Sequence, residues 1–107
     1  MPRRDPEVTP FPLPVIQRLV QWAKVIRAQR QQMQLPMRDF AYRLNISLDT
    51  LQRMERGEPT VQASTYLNAL LALGVMDALC PTPTEALMAS SQARVRHKKA
   101  SEPDDYF

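Results

Sequence analysis

Apolar residues return every third or fourth position through the first third of the chain. Val15, Ile16, Leu19, Val20, Trp22, Ala23, Ile26 and Met33 follow that spacing, which marks one face of a helix and predicts a first helix over residues 15–33. Its other side holds Gln17, Arg18, Gln21, Lys24, Gln31 and Gln32, with no acid among them. Trp22 reads as a core anchor rather than a platform for a stacked ligand. Pro36 cannot continue that helix but can begin a second over residues 37–44. Phe40, Ala41 and Leu44 make its apolar stripe, and Asp39 sits in the first turn, favourable to the dipole. A third helix over 48–55 turns Leu51 and Met54 inward and stops at Gly57. A fourth over 63–73 presents Tyr66, Leu67, Leu70, Leu71 and Leu73 to the core and ends at Gly74, and a fifth short one follows over 75–80. Pro81 and Pro83 then interrupt the chain before a short amphipathic segment over 84–94.

Three residues separate the second and third predicted helices. Asn45 tolerates left-handed backbone, Ile46 reads as a buried turn residue, and Ser47 can cap the following helix. With small Ala41 allowing close approach, the pair forms a helix-turn-helix unit. Pro2, Pro6, Pro10, Pro12 and Pro14 fix φ and remove backbone donors, so residues 1–14 are expected to form an extended arm. Residues 15–80 then form the folded domain, 81–94 a short helical extension and 95–107 a disordered tail. That tail joins a basic run, "RVRHKK", to an acidic end, "SEPDDYF".

The composition fits this reading. A chain of 107 residues makes one domain, too small for a cleft between domains. Two glycines against ten prolines, the latter clustered toward the ends, leave a Gly-poor middle suited to an all-α core. The net charge of +3 is unevenly placed: Arg18, Lys24, Arg27, Arg30, Arg38, Arg43, Arg53 and Arg56 face only Asp39, Asp49 and Glu55 within the same stretch. Such a basic middle attracts polyanions. Cys80, the sole cysteine, excludes an internal disulfide, fits a reducing cytoplasm and reads as a small core residue. No apolar run is long enough to span a bilayer, so no membrane association is expected. Enzymatic chemistry finds no support: His97 lies in the basic tail without metal-ligand spacing, and there is neither a phosphate-cradling Gly loop nor a nucleophile with a nearby base. No metal and no cofactor is expected.

The stretch "RQQMQLPMRDFAYRLNISLDTLQRMERGEPTVQASTYLNALLALGV", residues 30–75, resembles the Cro/repressor-type (Xre) helix-turn-helix family. Phe40-Ala41, Leu44, Ile46-Ser47, Leu51, Met54-Glu55 and Gly57 fall in its register without a gap. The resemblance implies a compact five-helix repressor-like domain that binds double-stranded DNA. Two positions depart from the family pattern: Met37 stands where Gln usually grips a phosphate at the start of the second helix, and Asn45 where the turn residue is often Gly. Arg38 can replace the phosphate contact from the same helix terminus.

In this register the first turns of the third helix enter the major groove. Leu48, Asp49, Thr50, Gln52 and Arg53 are the expected base readers. Arg53 suits guanine O6 and N7, Gln52 adenine or a phosphate, and Leu48 and Thr50 a thymine methyl, while Asp49 either accepts from cytosine N4 or only favours the helix N-terminus. Arg38, Arg43, Ser47, Arg56, Lys24 and Arg27 are the expected phosphate-binding set, with Arg56 free to meet the backbone. Arg30 and Glu55 match the family's structural ion pair, tying the first helix to the end of the third. The phrase "GEPTVQASTYLNALLALGVMDAL" is similar to HipB-like antitoxins, the DNA-binding partners of HipA-type kinase toxins. Family members bind pseudo-palindromic operators as homodimers, and Met76, Leu79, Leu87 and Met88 are candidates for the seam, or else complete the monomer core. Asp104, Asp105, Tyr106 and Phe107 suit docking into a basic, apolar-floored groove of a partner. A stand-alone phage-like repressor is the alternative within the class. A protein-interaction adaptor with secondary DNA binding is the alternative outside it.

Overall fold

Proline sets where the first helix begins. In the structure, a computed structural model that describes residues 10–90, Pro12 is extended (φ −63°, ψ 150°) and α1 runs Leu13–Gln32. Prolines are tolerated in a first turn because the N–H they lack would have no helical acceptor there. Apolar spacing alone placed the start two residues later, so the helix claims the end of the expected arm. Five more helices follow among the described residues: α2 (Met37–Leu44), α3 (Leu48–Met54), α4 (Ala63–Ala72), α5 (Met76–Leu79) and α6 (Glu85–Met88). The described chain contains no strand and is all-helical.

The first four helices end alike. A residue at positive φ follows each, and the next N–H reaches back five residues: Leu35 to Arg30 (3.0 Å), Ile46 to Ala41 (3.0 Å), Glu58 to Arg53 (3.2 Å) and Val75 to Leu70 (2.9 Å). This closure satisfies carbonyls that would otherwise lack partners and turns the chain sharply. The reversing residues are Gln34 (φ 54°), Asn45 (φ 61°), Gly57 (φ 79°) and Gly74 (φ 77°). Gln34 carries no sequence mark of this role; the other three do.

Ile26, Phe40, Leu51, Met54, Tyr66 and Leu70 are the largest fully buried side chains, so each of the first four helices contributes to one core. Trp22 is half-buried and meets Tyr66 edge-on, with ring centroids 6.2 Å apart and planes at 61°. Several expected core residues are exposed instead. Val15 (43% exposed) and Met33 (49%) lie at opposite ends of α1, whose twenty residues span about 30 Å, twice the length of the ten-residue α4. Leu71 is 61% exposed because steps of about 100° around α4 set it across the helix from buried Tyr66, Ala69, Leu70 and Leu73. Cys80 is exposed as well, past the end of α5, where the chain has left helical geometry.

Met76 and Leu79 are partly buried against the core, while Leu87 and Met88 are exposed. Thr84 caps α6 by accepting the Leu87 N–H at 3.3 Å, and extended Ala89 (ψ 128°) ends it; the rest of the expected segment, to Arg94, lies outside the described residues. Among the described residues no helix is long and apolar enough to cross a membrane. The tail residues Asp104, Asp105, Tyr106 and Phe107 lie outside the described residues.

Candidate nucleic-acid interface

Helix α3 is aimed from both ends. Before it, left-handed Asn45 (φ 61°, ψ 45°) closes α2, and Ser47 accepts the Thr50 N–H on its Oγ at 3.0 Å. The Ser47 hydroxyl in turn donates to Thr50 Oγ1 at 2.9 Å, so cap and first turn are locked together. A serine cap typically contributes about 1 kcal/mol. Leu51 and Met54 are fully buried, which fixes the helix about its axis. Asp49 and Gln52 are thereby exposed, and Leu48, Thr50 and Arg53 half-exposed. None of the five expected base readers is buried.

The far end of α3 is tied down by Arg30 and Glu55. Arg30 Nε donates to Glu55 Oε2 at 2.7 Å and Nη2 to Oε1 at 3.0 Å, while Nη1 donates to the Leu35 carbonyl at 3.0 Å. Both side chains are nearly buried, at 10% and 6% exposure. The guanidinium therefore joins three things: α1, the turn after it, and the end of α3. Arg30 is spent on architecture.

Beyond Glu55 the chain doubles back through Gly57. A Cβ there would lie 2.9 Å from Val20 Cα and 3.1 Å from Val20 N, so only glycine lets this turn press against α1. The turn returns Glu58 over the end of α3. Arg53 Nε donates to Glu58 Oε1 at 3.1 Å, and Arg56 Nε and Nη2 donate to Glu58 Oε2 at 3.0 and 2.8 Å. Arg53 also donates through Nη2 to Thr60 Oγ1 at 2.8 Å. The hydrogen bonds from Arg56, then those from Arg53, hold the Glu58 carboxyl below its ordinary value of 4.5. Buried Tyr66 anchors the same turn by donating to the Glu58 carbonyl at 2.7 Å. Burial chiefly, and the Glu58 charge secondarily, push the Tyr66 hydroxyl up to about 12.

Arg56 is thus not free, contrary to the sequence expectation, and Arg53 reaches the surface already engaged. The reason is the glycine turn, which places a carboxylate two residues after one arginine and five after the other. Glu58 and Thr60 are the residues that sequence reading missed, together with the tie that core Tyr66 makes to the turn. A signal was present in Arg-x-x-Arg-Gly-Glu, once the glycine is taken as a reversal rather than only a stop.

The expected phosphate-binding residues fall into separate groups. Arg27 and Arg56 line a concavity of about 340 Å³ beside Met37 and Gln52, with the Arg30–Glu55 pair in its wall. Arg38 and Arg43 line another, of about 550 Å³, around Tyr42, whose ring is 88% exposed. Lys24 is exposed on α1, and Ser47 is engaged as a cap. A third concavity, about 320 Å³, runs from Thr50 and Arg53 to Gln62 and Thr65 at the start of α4. No family model, curated protein or solved structure matched this chain when each was searched.

Proposed function

We propose that this protein is a sequence-specific DNA-binding regulator whose α2 and α3 act as a helix-turn-helix, with α3 lying in the major groove. One observation carries the reading: Ser47, Leu51 and Met54 fix a short helix that leaves Leu48, Asp49, Thr50, Gln52 and Arg53 exposed or half-exposed, with Arg27 and Arg56 beside Gln52. A helix in that setting can present a few side chains to base edges while cations beside it hold phosphates. Arg27 and Arg56 beside Gln52 supply one such group, and Arg38 with Arg43 a second. Exposed Leu71, Leu87 and Met88 supply apolar surface for a homodimer, which would set two copies of α3 on a pseudo-palindrome. Within the class, the resemblance of residues 57–79 to HipB-like antitoxins favours a regulator that represses its own operon and binds a HipA-type kinase over a stand-alone phage-like repressor.

The test is a titration of labelled duplexes, the protein's own upstream DNA against a scrambled one, with wild type and Arg53→Ala side by side. Wild type should prefer the upstream duplex, and Arg53→Ala should lose about 1–3 kcal/mol of that preference. Binding to neither duplex would instead favour the adaptor. A preference that survives Arg53→Ala would remove Arg53 from the reading set.

A further inference from the structure

The turn after α3 puts one carboxylate between two arginines that the proposed function needs. Arg53 gives Glu58 its Nε–H and Arg56 gives it Nε–H and Nη2–H, the same donors a phosphate would take. Glu58 therefore occupies, within the protein, the place of a backbone anion. Its backbone is held independently, by the Glu58 N–H bond to Arg53 O and by Tyr66, so the carboxylate cannot simply swing away with a flexible loop. Thr60 takes a further donor from Arg53. Among the described residues the Nη1 groups of both arginines have no hydrogen-bond partner.

Resting on the reading of α3 as a DNA-recognition helix, we propose that Glu58 is a specificity-determining residue that clamps Arg53 and Arg56 against indiscriminate phosphate binding. Two consequences follow from one contact. A duplex offering only phosphates must displace the carboxylate before both arginines can engage it fully, so sequence-independent binding is weakened. A duplex with the right base meets an Arg53 whose guanidinium is already oriented by Glu58 and Thr60, so less side-chain freedom is lost on binding. Glu58 contributes by positioning and by competition, without itself reading a base.

Glu58→Gln tests this, with Asp77→Asn as the control that changes net charge equally from exposed α5. Both variants and wild type are titrated against the upstream and the scrambled duplex over a range of salt. Glu58→Gln should tighten scrambled-duplex binding several-fold, steepen its salt dependence by about one phosphate contact and shrink the preference for upstream DNA roughly tenfold. Asp77→Asn should leave the preference within twofold. The full chain is also labelled at its arginines, and hydrogen exchange at the Arg53 and Arg56 Nε–H should quicken in Glu58→Gln. A wild-type preference that Glu58→Gln leaves intact, or reduces no more than Asp77→Asn does, overturns the proposal alone; so do unchanged exchange rates. A wild type that binds both duplexes equally overturns the functional reading and takes the proposal with it.

Discussion

Glu55 and Glu58 stand three residues apart, and each binds arginine, yet they make opposite uses of the same chemistry. Glu55 and Arg30 are 6% and 10% exposed and meet in a two-pronged pair; Glu58 is 33% exposed and its arginines 33% and 60%. Removing one partner of the first would strand a charge away from water, so that pair holds α3 in place. The second is wet, and surface pairs of this kind contribute at most about 1 kcal/mol, so its arginines can exchange one anion for another. Burial separates a fastening from a contact that can be traded.

The largest test of this contrast is Glu55→Ala. It should cost about 3–5 kcal/mol in chemical denaturation, whereas Glu58→Ala should cost less than about 1 kcal/mol. Equal costs would mean that burial does not divide the two sites. The turn joining them comes next. Gly57→Ala meets both a positive φ and the Val20 backbone and should cost on the order of 3 kcal/mol. Gly74 has φ +77° but nothing within 4 Å of a Cβ, so Gly74→Ala should cost about 1–2 kcal/mol. If the two glycines prove interchangeable in thermal melts, the close approach to α1 is not what Gly57 provides.

Tyr66→Phe removes the hydroxyl that ties the core to the Glu58 carbonyl and should cost about 1 kcal/mol, with faster amide exchange across residues 57–60. The smallest effect concerns protons. Glu58 titrates below its ordinary value of 4.5, so the clamp's contribution is complete above that pH and is lost as pH falls through the lowered value. Tyr66 titrates in the other direction: its contribution is complete below its ordinary value of 10.0 and is lost as pH rises through about 12. Arginine Nε–H exchange followed on the acid side should reveal the first loss. A clamp that already opens at or above pH 4.5 would contradict it.

Local signals carried much of the helical frame. The bounds of α2 follow from Pro36 and Asn45, and the cap of α3 from Ser47, because each depends on residues within one turn of the boundary. The start of α1 was harder to read because two opposing effects meet there: proline disfavours helix interiors but suits a first turn. Exposure was legible only where the helix was short. The apolar stripe of α1 is real in period, yet how much of it finds a partner depends on the lengths of α3 and α4 beneath it.

Sequence alone determined that the chain is helical, where most helices start and stop, and which faces of α2 and α3 are apolar, since all of these are set by neighbours within four residues. The tertiary structure decided which cations are spent and which are available. Arg30, Arg53 and Arg56 are the same residue type in the same basic stretch, but a pair 25 positions apart buries the first and a glycine turn pressed against Val20 returns a carboxylate to the other two. Contacts between distant segments set local dielectric and partner geometry, and those two quantities decide what an arginine is free to do.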